Sequence, residues 1–178
     1  MYLWFAIDVN RYYEYLKERV KEIEDIVKYD NTNLSLPYHI SLKISFEVDD
    51  SIKNDVIQTA EEFYKTLKPF NISVKCIEKY GIICWIRYLN NDYLESISRN
   101  LNSLLKEKYD IELHPYDKDF IFHTTLFMDN DVSKIEKSYE MIKDVKLPTN
   151  LLTDRYIIGY SLTGKVGSYK VLKEIQVS

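Results

Sequence analysis

Hydrophobic residues follow two different periods along this chain, and the changes between the periods predict a series of strands and helices. Alternation with a period of two indicates a strand, and apolar residues spaced three or four apart indicate one face of a helix. On this basis strands are predicted over residues 2–8, 36–48, 70–78, 82–89 and 120–127, with two more after residue 149. Helices are predicted over residues 13–29, from 50 or 51 to Pro69, from 91 or 92 through Leu105, and over 133–144.

The predicted elements form a repeated order, β-α-β-α-β followed by β-α-β-α-β-β, with the join near Tyr80. No segment typical of a flexible linker separates the two halves. We therefore expect one α+β domain over residues 1–178 with a duplicated fold, made of pseudo-repeats at 1–79 and 80–178. Each repeat would form a lobe, an antiparallel sheet with helices packed on the outside, and the active-site cleft would lie between the lobes.

The composition is that of an ordinary globular protein, and its charge narrows the choice of partners. Of the 178 residues, 46% are hydrophobic and 29% are charged, and 24 basic against 28 acidic residues give a net charge of −4. Proteins that bind long nucleic acids by neutralising phosphates are normally basic. We therefore expect no binding to long duplexes, whereas a small nucleotide or a short RNA stays compatible with the composition.

The chain contains no segment that predicts insertion into a membrane. No apolar run approaches the roughly 18 residues of a membrane-spanning helix. The opening residues Met1–Asp8 lack the basic region and the small-residue cleavage site of a signal peptide. We expect a cytoplasmic protein without a membrane partner, and its oligomeric state stays open.

The two cysteines and the acidic residues do not form a pattern typical of a redox or metal site. If the hairpin near Tyr80 turned on a three-residue loop centred on that residue, Cys76 and Cys84 would face each other. A redox pair is nevertheless the weaker interpretation, because thiols in the cytosol are normally reduced. No spacing of metal ligands occurs, so neither a metal nor another cofactor is expected.

A glycine-containing segment over residues 159–166 nearly matches a Walker A loop. It ends in Val166, where a hydroxyl would have to coordinate Mg²⁺, and residues typical of a strand follow it instead of a helix. We therefore reject an ATP site there. Lys165 stays a candidate contact for an anionic ligand, reaching out from a hairpin loop.

Two of the three histidines occupy matching tetrapeptides, His39–Leu42 and His123–Leu126, each in the third element of its repeat. By composition, two of three histidines would be followed by x-[Ser/Thr]-Leu in roughly 4 of 10⁴ random chains. Strand alternation places His39 on one face with Ser41, and His123 on one face with Thr125. A single such motif is typical of a hydrogen-bonded core histidine, but two in equivalent strands predict a site.

The chemistry of these residue types suits the cleavage of a phosphodiester. Two imidazoles that face each other across a cleft can serve as base and acid in one in-line displacement, because histidine titrates near neutral pH. The hydroxyls of Ser41 and Thr125 can donate to the non-bridging phosphate oxygens. No metal is required. We predict that His123 activates the attacking water and that His39 protonates the leaving ribose oxygen.

Paired H-x-[S/T]-Φ motifs on a duplicated α+β scaffold resemble the 2H phosphoesterase superfamily, which includes 2′-5′ RNA ligase-like and cyclic phosphodiesterase proteins. Residues 5–8 are also similar to the opening strand of that family. The resemblance implies that His39 and His123 are catalytic and that Ser41 and Thr125 bind phosphate. It also implies hydrolysis of 2′,3′-cyclic phosphates, cleavage of 2′-5′ linkages or, in some members, reversible 2′-5′ ligation.

The chain departs from the RNA ligase branch at one position. That branch often carries an arginine five residues after the second histidine, where this chain has Met128. The departure argues against RNA ligation. By alternation Lys43 shares the face of His39 and Ser41 and could supply a replacement cation, although a solvated lysine at a strand end is an equally good interpretation.

Two hypotheses follow for the function. The first is a metal-independent phosphodiesterase that acts on a small nucleotide or an RNA end. The alternative is a non-catalytic module that binds a nucleotide or RNA end in the same cleft. A cyclic nucleotide, a 2′-5′ oligonucleotide, a tRNA fragment or an ADP-ribose derivative would all fit the motifs. Base stacking would fall to aromatic residues such as Phe5 or Tyr116.

Overall fold

The computed structural model describes residues 1–29, 36–117 and 120–178, which form eight strands, five α-helices and one 3₁₀ turn. The strands are β1 (Tyr2–Asp8), β2 (His39–Glu47), β3 (Phe70–Tyr80), β4 (Ile83–Tyr88), β5 (His123–Met128), β6 (Asn150–Thr153), β7 (Arg155–Ser161) and β8 (Lys170–Gln176). The helices are α1 (Asn10–Tyr13), α2 (Leu16–Val27), α3 (Lys53–Lys65), α4 (Asp92–Tyr109) and α5 (Val132–Ile142), and the 3₁₀ turn covers Pro115–Asp117.

The strands form two four-stranded sheets in which every neighbouring pair is antiparallel. The first sheet has the order β2-β1-β7-β8, and the second has the order β5-β4-β3-β6. The predicted α+β fold with two antiparallel sheets is therefore confirmed. Three strands follow residue 149, where two were predicted. Only one residue separates β6 from β7, so the sequence pattern shows the two as a single strand.

The two sheets do not divide the chain at residue 80. Strand β3 precedes that residue but belongs to the second sheet, and β7 and β8 return from the end of the chain to the first sheet. The order β-α-β-α nevertheless occurs twice, as β1-α2-β2-α3 and as β4-α4-β5-α5. Pseudo-repeats at 1–79 and 80–178 stay a prediction, since the pairing of the strands follows other boundaries.

The helices connect the two sheets into one folding unit. Helix α2 leaves the first sheet and packs against α5, which covers β3 and β4 of the second sheet. Helix α4 leaves the second sheet and packs against β2 and α3 on the first. One continuous cluster of buried apolar side chains therefore includes residues of both sheets, such as Phe5 and Ile40 of the first and Ile86 and Leu126 of the second.

Helix starts follow the polar residues before them, though not always the predicted ones. Asn91, one of the two predicted helix starts, caps α4, because its side chain accepts a hydrogen bond of 2.9 Å from the Leu94 amide. Helix α5 is capped by Asp131, which accepts from the amide of Ser133, the residue at which the predicted helix started. Helix α3 starts at Lys53 without a side-chain cap.

The β3–β4 hairpin turns on two residues, Gly81 and Ile82, and the predicted three-residue loop was wrong. Gly81 has a φ of +56°, a left-handed conformation that glycine adopts without a steric penalty. In this register Cys76 pairs with Arg87 and not with Cys84, so the two thiols do not oppose each other and both are free. Burial raises the pKa of the Cys84 thiol to about 12, which keeps it protonated.

Among the residues that the structure describes, no helix has both the length and the apolar composition needed to cross a bilayer.

Candidate active site between the two motif strands

The strands that contain the two motifs lie side by side in the fold. Strand β2 is an edge strand of the first sheet, β5 is an edge strand of the second, and the two contact each other. The Thr124 hydroxyl donates a hydrogen bond of 3.0 Å to the backbone carbonyl of His39. The same hydroxyl lies 2.7 Å from the hydroxyl of Tyr88, which in turn lies 3.3 Å from that of Tyr13. A buried polar chain therefore holds the first motif against the second.

Both histidines bind a backbone carbonyl two residues earlier through the same ring nitrogen. His39 Nδ1 lies 2.8 Å from the Pro37 oxygen, and His123 Nδ1 lies 2.7 Å from the Ile121 oxygen. Because a carbonyl oxygen can only accept, Nδ1 carries the proton in each ring and Nε2 is the acceptor of the neutral imidazole. Each histidine thus presents Nε2 for proton transfer, with its tautomer set by the backbone.

Each histidine also packs against one of the two tryptophans of the chain. The ring centres of Trp4 and His39 are 4.7 Å apart, and those of Trp85 and His123 are 4.2 Å apart. The indole of Trp4 crosses the strand at Gly159, where a Cβ atom would lie 2.0 Å from the indole ring. The contact of each tryptophan with a histidine was not predicted from the sequence. The only feature that pointed to it is that the chain has two tryptophans and two motifs.

Burial makes both imidazoles weaker bases than a histidine in water. It lowers the pKa of His39, while the Pro37 carbonyl and the Asp8 carboxylate act in the opposite direction. Burial lowers the pKa of His123 to about 4; the Ile121 carbonyl opposes this shift, and the positive charge of a protonated His39 adds to it. Without a ligand both rings are therefore neutral at pH 7, and they lie close enough to influence each other's protonation.

A β-bulge follows the hydroxyl residue in both motifs. In β2, Ser41 pairs with Ala6 and Lys43 pairs with Phe5, which leaves Leu42 without a partner on β1. In β5, Thr125 pairs with Trp85 and Phe127 pairs with Cys84, which leaves Leu126 without a partner on β4. Each bulge adds one residue and reverses the alternation beyond it.

The Leu42 bulge overturns the predicted position of Lys43. Instead of sharing the face of His39, Lys43 points into the core, where its side chain is only 1% exposed. Its Nζ forms an ion pair of 2.6 Å with Asp117 and donates to the Glu112 carbonyl. Lys43 is therefore not placed to contact a substrate, because its donors are committed to buried acceptors.

The Leu126 bulge has the opposite consequence for Met128. By simple alternation Phe127 would share the face of His123, but the bulge turns Phe127 into the core and brings Met128 to that face. A cavity of about 150 Å³ opens between the motif strands, and it is lined by Leu36, Pro37, Tyr38, His39, Thr125, Leu126 and Met128. The position where the RNA ligase branch often carries an arginine therefore lines this cavity, with an apolar side chain.

Both hydroxyl residues lie where the motifs predict. Ser41 and Thr125 are two residues beyond their histidines on the same strand faces, and both are only partly buried. Neither hydroxyl has a hydrogen-bond partner among residues 1–29, 36–117 and 120–178. Both are therefore available as donors to an incoming anion.

A third polar group near His123 did not emerge from the sequence. Arg87 is the cross-strand partner of His123, so the two side chains share one face of the second sheet. Its guanidinium donates to Glu78 Oε1 at 3.0 Å, and that oxygen also accepts from the indole of Trp85 at 3.1 Å. Only the register of β4 and β5 brings Arg87 to this face, and spacing along the chain contains no sign of it.

Two of the other predicted contacts, Lys165 and Phe5, do not join the histidines. Lys165 is exposed on the loop before β8, and no contact in the described part of the chain joins it to either histidine. Phe5 is fully buried and has no face for a base. The side chain of Tyr116 lies outside the described residues. In the described ranges, no group of three or more His, Cys, Asp or Glu side chains has the arrangement of a metal site.

Neither protein-family models nor curated proteins match the sequence. Solved structures do, over nearly the full length. TT0787 of Thermus thermophilus covers 99% of this chain and 97% of its own, with a TM-score of 0.63 at 13% identity. E. coli LigT complexed with 3′-AMP covers 99% and 97%, with a TM-score of 0.61 at 13% identity. A crystal structure of a phosphoesterase covers 99% and 98%, with a TM-score of 0.54 at 14% identity.

This chain has the LigT fold. The fold expected from the sequence resemblance is therefore confirmed, over almost every residue of both chains. Crystal structures of E. coli LigT have been determined with 3′-AMP, NADP⁺, ATP and phosphate. Within the LigT fold of this protein, the two H-x-[S/T] motifs occupy adjacent edge strands, and His39 of the first motif and Thr125 of the second line the cavity between them.

Proposed function

We propose that the protein is a 2H-type phosphodiesterase that hydrolyses a cyclic or 2′-5′ phosphodiester of a small nucleotide or RNA end without a metal. One observation supports this most strongly. The two edge strands present the same pair of groups, an imidazole whose Nδ1 is held by the backbone and a hydroxyl without a protein partner in the described ranges. Two general acid–base groups and two anion-binding donors are the set that an in-line displacement at phosphorus needs.

In this proposal the two imidazoles divide the proton transfers. His123 Nε2 accepts a proton from water as the water oxygen bonds to phosphorus. His39 Nε2–H gives a proton to the ribose oxygen as its bond to phosphorus breaks, and the products are a phosphomonoester and a free ribose hydroxyl. The hydroxyls of Ser41 and Thr125 donate to the non-bridging oxygens, where negative charge increases in the transition state.

The charges around the two rings support this order of roles. Asp8 is the cross-strand partner of His39, and its carboxylate favours the protonated form of that ring. Once His39 is protonated, its charge disfavours protonation of His123. His39 is therefore the ring that more readily carries the proton to be donated, and His123 is the ring that stays neutral and can accept one. A bound phosphodiester adds a negative charge that assists the protonation of His39.

The decisive experiment is a panel of 2′,3′-cyclic nucleotides and 2′-5′ dinucleotides, assayed with EDTA for the wild type, His39→Ala and His123→Ala. Each variant should lose at least about 10²-fold in kcat, the lower range for a general acid or base. His114→Ala, which removes the third histidine, serves as the matched control and should keep wild-type turnover. Full activity in both motif variants would reject the proposal.

The alternative function, a non-catalytic module for a nucleotide or RNA end, is favoured by one observation. Burial keeps both imidazoles neutral at pH 7 in the unliganded protein, so the acid is not charged in advance. Such a module would be stabilised thermally by 3′-AMP or 2′-AMP yet form no product from any member of the panel.

A further inference from the structure

A row of aromatic rings leads from His123 to the surface of the second sheet. The Trp85 ring centre lies 4.2 Å from that of His123. Tyr80 stacks on Trp85, with the ring centres 5.5 Å apart and an angle of 5° between the ring planes. Trp85 is only 4% exposed, whereas Tyr80 is 67% exposed. One face of the tyrosine ring is therefore covered by the indole, and the other is open to solvent.

The ring row is held in place by polar contacts beneath it. The indole N–H of Trp85 donates to Glu78 Oε1, which fixes the orientation of the indole on which Tyr80 rests. Tyr80 is also the last residue of β3 and pairs with Ile83 across the tight turn at Gly81. An exposed aromatic ring that is held flat before a ligand arrives loses little conformational freedom when a planar group stacks on it.

Arg87 lies on the same face and retains unused donors. One of its N–H groups binds Glu78, while no other contact of the guanidinium occurs within the described residues. The side chain is 31% exposed and is the cross-strand partner of His123. With Lys43 buried in its pair with Asp117, Arg87 is the cation that the strand register places beside the candidate base.

We infer that Tyr80 and Arg87 form a nucleotide subsite in which a nucleobase stacks on the open face of Tyr80 while Arg87 binds the phosphate held at the two histidines. The inference rests on the proposed function and deepens it, because it selects substrates that carry a base. Base stacking on aromatic side chains tolerates any base. The subsite therefore favours nucleotides over abasic cyclic phosphates without demanding a particular base.

Binding tests this subsite independently of turnover. The affinities of the wild type, Tyr80→Ala and Arg87→Gln are measured by calorimetry for 3′-AMP and for inorganic phosphate, a probe without a base. Tyr80→Ala should weaken 3′-AMP about 10-fold and leave phosphate unchanged. Arg87→Gln should weaken both. Tyr80→Phe should restore the affinity, because it keeps the ring. Tyr93→Ala and Arg99→Gln, which alter exposed residues of α4, are the matched controls.

Turnover separates failure of the subsite from failure of the proposed function. For adenosine 2′,3′-cyclic phosphate, Tyr80→Ala should lower kcat/KM about 10-fold, and for the cyclic phosphate of methyl riboside it should change nothing. Equal effects on both substrates, or 3′-AMP affinity unchanged in Tyr80→Ala, would overturn the subsite while the phosphodiesterase stands.

If the wild type binds 3′-AMP through Tyr80 but turns over neither substrate, the subsite stands and the proposed reaction fails. No binding of 3′-AMP by the wild type would overturn the subsite.

Discussion

Thr124 donates a hydrogen bond of 3.0 Å to the backbone carbonyl of His39, so that a residue of the second motif holds the strand of the first. The variable residue of one H-x-[S/T] motif thus positions the histidine of the other. Because β2 and β5 belong to different sheets, this bond joins the two edge strands, and Tyr88 of β4 lies 2.7 Å from the same hydroxyl. The distance between the two candidate catalytic groups then depends on a buried polar contact as well as on apolar packing.

Thr124→Val should lower both the free energy of unfolding and the activity. Valine keeps the shape but leaves the His39 carbonyl and the Tyr88 hydroxyl without this partner, a loss of about 1–3 kcal/mol. Urea unfolding would measure the stability. Thr124→Ser keeps the hydroxyl and should recover most of the lost free energy of unfolding. A serine variant as unstable as the valine variant would contradict this account.

Gly159→Ala should disturb His39 from two strands away. The new Cβ would lie 2.0 Å from the Trp4 indole, and the indole would have to move from its place against His39. We expect a loss of about 1–3 kcal/mol, typical of overpacking in a core, together with reduced kcat. In the double variant Gly159→Ala/Trp4→Leu the clash is absent. That variant should be more stable than Gly159→Ala alone, and a further loss instead would show that the indole is not the obstacle.

Periodicity predicted the order of strands and helices up to residue 149, apart from the break between α1 and α2, and β1 even has its predicted bounds. The pairing of hydroxyl and histidine on one face was predictable as well, since His39 and Ser41 lie within one regular stretch of strand. What lay beyond the bulges was not. A bulge at Leu42 or Leu126 cannot be recognised from the order of polar and apolar residues in the sequence. It is defined only by the register with the neighbouring strand.

The same reasoning explains why the predicted face of Lys43 was wrong and why Arg87 was missed. Lys43 is two residues beyond Ser41, which in an unbroken strand puts both on one face, but the bulge turns the lysine into the core. Arg87 is far from His123 in the chain, and the pairing of β4 with β5 alone makes them neighbours. Local alternation is readable from one sequence, whereas the register between strands is a property of the whole fold.

Lys43→Met should destabilise the protein strongly without a direct effect on substrate binding. The change leaves the carboxylate of Asp117 buried without its ion partner, which typically costs about 3–5 kcal/mol. A lysine at an exposed strand end would instead contribute about 0–1 kcal/mol. Urea unfolding distinguishes the two positions. The folded variant should keep the wild-type KM at low temperature, and a KM raised tenfold or more would make Lys43 a substrate contact after all.

The stability of the protein should fall as the medium becomes acidic, through His123. Its pKa is about 4 in the fold and near 6.5 in the unfolded chain, so the unfolded state binds more protons between these values. The contribution of the neutral ring is complete above about pH 6.5 and is lost as the pH falls towards 4, a change of about 2 kcal/mol between pH 7.5 and 5. His123→Asn should show a correspondingly shallower dependence in urea unfolding. Identical slopes for both proteins would contradict the lowered pKa.

The pH dependence of kcat/KM should be a bell centred below pH 6.5. The acidic limb follows the base, which must be neutral, and the alkaline limb follows the acid, which must be protonated. Since burial lowers the pKa of both His39 and His123 in the free enzyme, both limbs move to lower pH. Asp8→Asn removes the carboxylate that favours protonated His39, so it should move the alkaline limb further down and leave the acidic limb nearly in place. A shift of the acidic limb alone would exchange the roles of the two histidines.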